Sequence, residues 1–386
     1  MSGRWDAIVV GAGPAGSSVA LQLARSGASV LLLDRARFPR DKPCSEYLSP
    51  ESTRVLERLG RDVLRAVAAA SPGRLTGMKV VAPSGASVVG RFETFSYALP
   101  RMKLDSILRS AAEAAGAEVR EGVKVEELVY DRGAVAGVMA RDRYRARVVV
   151  GADGLRSVVA RRLGAVNTLG PRRVAFTAHV AGAHDVHELG EMHVGRPGYV
   201  GLGPIGEDVT TVALVLPVAE ARRGLRFFEE LNRFPGIAGR FDPARTVRPV
   251  LATGPFARWS RRPVADGALL VGDAADFFDP FTGQGIYSAL RGAELAAAAI
   301  VNTLATGRGG RDSLQQYARA RRREFTGKWL LERMIGIAVG WPALIERVVG
   351  RLIRRPELAD LLVRATGNCI PARAALAPAV LAGLVL

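Results

Sequence analysis

Gly11-Ala12-Gly13-Pro14-Ala15-Gly16 follows directly on the apolar run Trp5-Asp6-Ala7-Ile8-Val9-Val10, and that junction restricts the fold more than any other stretch of the chain. The run has the length and β-branched content of a buried strand. From Ser17 to Ser26 apolar residues recur at helical spacing (Val19, Ala20, Leu23, Ala24); Gly27 stops the helix, and Ser29 to Leu33 reads as a second buried strand. Each glycine of such a strand-helix-strand unit has a task. Gly11 permits the tight turn, Gly13 lets backbone close on a diphosphate, and Gly16 lets the helix pack against the strand, while the helix N-terminus offers amide donors. Asp34 ends the second strand, where a carboxylate accepts hydrogen bonds from a ribose diol. An acid there fits FAD or NAD(H) and repels a 2′-phosphate, so NADPH does not fit this particular site.

Gly201-Leu202-Gly203-Pro204-Ile205-Gly206 repeats the same glycine spacing, but it runs into a strand-like stretch from Asp208 with no helix to receive a phosphate, so it reads as a loop. At 386 residues the chain can build two domains, and 48% apolar residues exclude disorder. No apolar run is long enough to span a bilayer and the strand at Trp5 leaves no room for a leader, so the expected localisation is cytoplasmic. Cys44 and Cys369 are too few and too far apart for a disulfide framework. The net charge of +17 comes from arginines spread along the chain without interleaved aromatics, which argues for surface solvation and attraction of anions and against nucleic acid. His179, His184, His187 and His193 match no ligand spacing, and no metal is expected.

Past Asp34, residues 35–50 form a loop rich in charge and proline, with Ser49-Pro50 starting a helix. Loops after the strands of such a sheet lie on its ligand-binding edge, which makes Cys44, Ser45, Glu46 and Tyr47 candidates to touch the working end of the cofactor. Cys44, Glu46 and Tyr47 are the candidate catalytic side chains, the last two by position alone. Alternating segments from Met78 to Ala98 and from Pro171 to Pro217 suit antiparallel strands. Two further strand-to-loop-to-helix passages follow, at Ala146 to Ser157 and at Gly267 to Ile286. The expected fold is therefore α/β, a discontinuous Rossmann-like dinucleotide domain (residues 1–75, 101–165 and 266–305) with an antiparallel-sheet α+β substrate domain (76–100 and 166–265). A helical C-terminal region (306–386) completes it, with Arg319 to Glu324 as a solvated face and an apolar tail from Ala374 to Leu386.

Gly11 to Gly16 with Asp34, Gly151-Ala152-Asp153-Gly154 with Ser157, and Gly272-Asp273-Ala274-Ala275 with Asp279-Pro280-Phe281-Thr282-Gly283-Gln284-Gly285 together resemble the FAD-dependent oxidoreductases of the p-hydroxybenzoate hydroxylase superfamily. Asp279 to Tyr287 and Lys42-Pro43-Cys44 look most like its geranylgeranyl reductase branch. The resemblance implies bound FAD, with cofactor contacts at Gly11, Gly13, Ala15, Gly16, Asp34, Cys44, Ser45, Arg101, Val125, Asp153, Asp273, Pro280, Gly283, Gly285 and Ile286. It places Asp273 at the ribityl chain, Arg101 at the phosphates or ribityl, Val125 at the adenine, and the amides of Gly285 and Ile286 at the flavin pyrimidine edge. Two departures stand out. Asp276 occupies a position usually held by His in the hydroxylases, and Tyr199-Val200-Gly201-Leu202-Gly203-Pro204 replaces the reductases' Tyr-x-Trp-x-Phe-Pro.

The resemblance implies a flavoprotein that takes hydride from NADPH or NADH as co-substrate and acts on a small apolar molecule. Tyr199, Gly201 and Gly203 are the candidate substrate residues. Because two glycines stand where large aromatics would, a monooxygenase hydroxylating a bulky ring-type metabolite is ranked first and reduction of isoprenoid double bonds second; a flavin-binding sensor without turnover is the reading from another class. The apolar tail, with arginines upstream, is expected to pack onto the body of the protein; peripheral contact with an anionic membrane is the alternative.

Overall fold

A computed structural model describes residues 4–168, 170–306 and 311–385. The first unit forms where the sequence predicts it: strand Trp5–Val10, helix Pro14–Arg25 and strand Val30–Asp34, the two strands parallel with Ala7 opposite Val30. Arg143–Gly151 pairs in parallel on the other side of Trp5–Val10, followed by Ala268–Leu270, while Glu118–Glu121 extends the sheet beyond Val30–Asp34. At its centre, residues 7–10, 30–33 and 148–150 are apolar runs because both faces of the sheet are covered. On one face Val9, Val150 and Leu32 pack with Val19 and Leu23 of the first helix, Leu104 and Leu108 of helix Arg101–Ala114, and Leu290 and Ala293 of helix Gly285–Thr306. On the other, Ile8, Leu31 and Val149 pack with Leu128 and Val138 of an antiparallel excursion, Glu127–Asp131 and Ala134–Met139.

The glycine motif is held by close backbone approach. Gly11 sits at φ +102°, and a Cβ there would lie 2.5 Å from the Ala152 carbonyl oxygen; a Cβ on Gly16 would lie 1.8 Å from the carbonyl oxygen of Gly11. Only glycine lets the strand ends at Val10 and Gly151 and the helix start meet this tightly.

A second, largely antiparallel sheet runs in the order Thr246–Thr253, Arg173–Ala181, Val209–Pro217, Tyr199–Pro204, Leu189–Val194, Gly73–Val81, Ser87–Ala98, Tyr47–Leu48. Two expectations are corrected here. Gly201 to Pro204 is strand rather than loop, with Gly201 opposite Ala213 on one side and Met192 on the other. The spacing misled because β-propensity at a glycine-rich stretch is set by its neighbours in the sheet. Arg321 is not on a solvated face: it is 6% exposed, paired with Asp276 and set over the rings of Phe325 and Trp329. In the tail, Leu384 is buried in the cluster that holds Ile345, Val349 and Leu352, and Val380 packs against it. Among the described residues no helix is long and apolar enough to cross a membrane.

Candidate functional site

A pocket opens where the C-terminal ends of the parallel strands face the second sheet. Gly13, Pro14, Ala15, Lys42, Arg101 and Asp273 line its inner part. These positions make a cradle for a dinucleotide. Gly13 leaves a gap that a Cβ would narrow, with one guanidinium nitrogen each of Arg40 and Arg101 3.6 Å from where that atom would be. Arg40 also lies 2.9 Å from Asp105, and Arg101 donates to both Asp105 oxygens at 2.6 and 2.7 Å, so both guanidinium groups are aimed by one fully buried carboxyl. Lys42 joins them 3.1 Å from the Cβ position of Gly154; burial and the charge of Arg101 pull its ammonium below the usual lysine range. Two guanidinium groups at a helix start beside a side-chain-free gap, with the Lys42 ammonium at the second motif, suit a diphosphate. Thr282 and Gln284, buried at 7% and 2% exposure in the third motif, keep side-chain polar atoms without partners among the described residues, as a loop awaiting a bound group does. The site thus fits FAD.

Asp34 is 7% exposed and accepts from the amides of Ala12 at 2.8 Å and Ala36 at 2.8 Å, which fixes its carboxyl beside the glycine turn. Pro280, Gly283, Gly285 and Ile286 line the pocket near Cys44 and Ser45. Gly11, Gly16, Asp34, Val125, Asp153 and Glu46 do not line it. Gly11 and Gly16 shape the turn, Val125 is buried in the rear core, and Asp153 accepts from the Ser157 hydroxyl at 2.5 Å and the Val158 amide at 2.6 Å, holding the second motif's helix start.

The catalytic candidates divide. Cys44 faces the pocket; burial pushes its thiol up and Glu46 adds to this, so it stays protonated at neutral pH. Tyr47 packs its ring beneath Gly283, and burial holds its phenol above the ordinary range. Glu46, fully buried at φ +63°, accepts from the Arg101 amide at 2.6 Å and Arg248 at 3.1 Å and meets His179 Nε2 at 3.0 Å. Arg248 in turn reaches Asp41 and Thr177, so this cluster ties the loop bearing Cys44 to the second sheet.

Tyr199, Gly201 and Gly203 all line the outer pocket, with Leu75, Met78, Met192, Phe256, Phe277 and Phe281. A Cβ on Gly201 would lie 3.1 Å from the Met192 sulfur, and one on Gly203 3.7 Å from a Leu75 methyl, so neighbouring side chains occupy much of the room the glycines leave. Tyr199 is 1% exposed; its hydroxyl donates to Asp279 at 2.6 Å, and Arg173 donates to the other oxygen of Asp279 at 2.6 Å. Behind this wall Glu191 receives two 2.9 Å bonds from Arg240 and lies 2.8 Å from His193. Burial alone would raise the Glu191 carboxyl, but these partners hold it down to about 2.

Sequence reasoning named Tyr199 and the motif at Asp279 but missed Arg40, Lys42, Met192 and Arg173 and the bond that joins Tyr199 to Asp279. Of the missed residues, Lys42 had a local signal, its place beside Pro43-Cys44.

The sequence matches the family described as FAD binding domain over residues 4–328. Digeranylgeranylglycerophospholipid reductase of Methanothrix thermoacetophila is 31% identical over 350 residues, 86% of each chain. The enzyme of that name from Methanosarcina acetivorans is 30% identical over 344 residues, 85% of this chain and 82% of that one. Menaquinone reductase of Mycolicibacterium smegmatis is 29% identical over 397 residues, covering 96% of this chain and 93% of its own. Among solved structures, a triple mutant of the flavin-dependent brominase Bmp2 superposes with a TM-score of 0.85 over 98% of this chain and 99% of that one, at 20% identity, a likeness of fold.

Proposed function

The chain belongs to the FAD binding domain family of flavoprotein oxidoreductases, and on that premise we propose that it uses NADPH or NADH to reduce carbon-carbon double bonds of an apolar, isoprenoid-type small molecule. The observation that carries this reading is the wall that Leu75, Met78 and Met192 form beside Gly201 and Gly203, on neighbouring strands of the same sheet. Thioether side chains are unbranched and adaptable, so they follow a long flexible chain better than they cradle one rigid ring. The relatives named above, digeranylgeranylglycerophospholipid reductases and a menaquinone reductase, support a reductase reading.

FAD, when bound, supplies the hydride chemistry. Arg40, Arg101 and Lys42 hold its diphosphate and Asp273 its ribityl chain. Cys44 keeps its proton next to the reacting atoms and is the proposed proton donor to a reduced double bond. Glu46 acts as a positioning residue that fixes the Cys44 loop.

Hydroxylation of a bulky ring is the second reading, favoured by the absence of side chains at Gly201 and Gly203. One anaerobic experiment separates them: reduce the holoenzyme with NADPH, then add a prenyl-chain substrate. Flavin reoxidation and saturated product in the absence of oxygen are expected; turnover that requires oxygen and yields a hydroxylated ring would replace the first reading by the second.

A lipid-like substrate also calls for a membrane-facing surface. Leu330, Ile337, Trp341 and Ile353 are 51%, 51%, 63% and 48% exposed near the exposed Arg347 and Arg354, a surface suited to an anionic bilayer. Flotation with acidic liposomes, lost in an Ile337→Glu, Trp341→Glu variant, is the expected result.

A further inference from the structure

Leu155 and Asp273 line both the flavin pocket and a smaller cavity bounded by Ser157, Val166, Arg258 and Ser260. Arginines gather around this second cavity. The guanidinium of Arg258 donates to the Leu155 carbonyl at 2.7 Å, and that of Arg161 donates to the next carbonyl along, Arg156, also at 2.7 Å. Two positive groups are thus fixed on adjacent carbonyls. Arg156 reaches the Gly254 carbonyl at 3.5 Å. Burial, and then the charges of Arg161, Arg156 and Arg172, pull the Arg258 guanidinium below its usual range, so the four cations share one neighbourhood.

Arg156, Arg161 and Arg172 are exposed and Arg258 is partly buried. Among the described residues none of the four forms an ion pair, whereas Arg162 and Arg173, the next residues to Arg161 and Arg172, pair with Glu127 and Asp279. Asp273 lines the cavity but joins none of them. On the cavity wall Ser260 is 8% exposed, and its hydroxyl has no partner among the described residues. Holding like charges together costs energy that a bound counter-charge offsets. An arginine that spends one N–H on a carbonyl keeps others to donate, and its planar fork matches phosphate oxygens.

We propose that Arg156, Arg161, Arg172 and Arg258 form a phosphate site, which holds the phosphate end of a ligand whose other end enters the flavin pocket past Leu155. Two ligands of the proposed reaction could bring that group: the nicotinamide co-substrate and a lipid with a phosphate headgroup. Asp34 repels a 2′-phosphate at the flavin-nucleotide site, so a co-substrate carrying one needs its anion site elsewhere. The identity of the ligand rests on the proposed function; the binding of phosphate does not.

The probe is inorganic pyrophosphate, titrated by calorimetry into FAD-loaded protein so that the cradle of Arg40 and Arg101 is already filled. Wild type should bind it, and the double variant Arg156→Gln, Arg172→Gln should bind about tenfold more weakly or worse. Both side chains are exposed, so FAD content and melting temperature should match wild type. Arg162→Gln removes the same charge from a paired neighbour and should change binding by less than about twofold. No binding by wild type, or equal weakening by Arg162→Gln, would overturn the site and leave only the diffuse charge of the chain. Two arms then identify the source. A Kd for NADPH raised about tenfold in the double variant, with the limiting rate of anaerobic flavin reduction unchanged, assigns the phosphates to the co-substrate. Displacement of pyrophosphate by dihexanoyl phosphatidate in wild type, with NADPH affinity equal in both proteins, assigns them to a lipid headgroup. Equal NADPH affinity with no displacement by the lipid would overturn the anchoring role. Absence of prenyl reduction would instead strike the proposed function and leave the pyrophosphate titration intact.

Discussion

Glu191 provides a quantitative handle on the pocket wall, because its strand carries Met192. Its carboxyl is held at about 2 in the folded chain against 4.5 as its ordinary value. The folded value is the lower one, so the unfolded chain binds the extra proton on acidification. The stabilisation is then fully present above pH 4.5 and is lost as pH falls towards 2. A shift of this size corresponds to about 3 kcal/mol at neutral pH, at ~1.4 kcal/mol per unit, and roughly half of it should be gone by pH 3. The side chain is only 5% exposed, so solvent screening takes little from this figure. The perturbation is Glu191→Gln, which cannot titrate yet keeps the shape. Urea unfolding of both proteins at pH 7, 5, 4 and 3 should show the variant less stable by about 3 kcal/mol at pH 7, with the gap narrowing steadily below pH 5. A gap that stays constant from pH 7 to pH 3 would refute the argument, since it would show that Arg240 and His193 do not act on the charge of Glu191.

Gly16→Ala should abolish FAD retention and lower the melting temperature, because its methyl would overlap the Gly11 carbonyl oxygen; absorbance of the purified protein reports the first and calorimetry the second. Asp273→Ala should lose FAD with little change in apoprotein stability, whereas Asp276→Ala should cost about 3 kcal/mol or more in stability by leaving Arg321 buried without a partner, with FAD affinity less affected. Lys42→Met should weaken FAD binding about tenfold, read by fluorescence titration, if the ammonium faces the diphosphate. Gly201→Trp should displace Met192 and reduce prenyl turnover while FAD stays bound, measured as substrate-dependent NADPH oxidation.

What could be read in advance was whatever local chemistry dictates. Gly11, Gly13 and Gly16 announce a turn only glycine can make, Asp34 ends a strand and Asp273 sits in the turn after one, and both strands' apolar runs are visible in the chain. The two-sheet architecture followed from the change of period between buried runs and alternating ones. The rest depends on partners far apart in sequence. Glu46 reads as an acid beside the cofactor until His179 and Arg248, from other strands, are seen to claim it. Arg321 belongs to a charged run that reads as solvated, yet Asp276 and two aromatic rings capture it. Met192 fills the space at Gly201 only because of a strand register that no local pattern specifies.

The chain leaves the parallel sheet after Val30–Asp34, contributes Tyr47–Leu48 and Gly73–Ala98 to the antiparallel sheet, returns for Glu118 to Gly151, departs again for Arg173 to Thr253, and comes back for Ala268–Leu270. The two layers are laced together like a shoe, and neither could be unthreaded without cutting the other. Such a molecule cannot exchange its substrate layer as a cassette through gene fusion or recombination at a linker. New specificity has to arise in place, one wall residue at a time, and glycines such as Gly201 and Gly203, flanked by side chains able to shift, are the places where a lineage can try larger groups without unpicking the lacing.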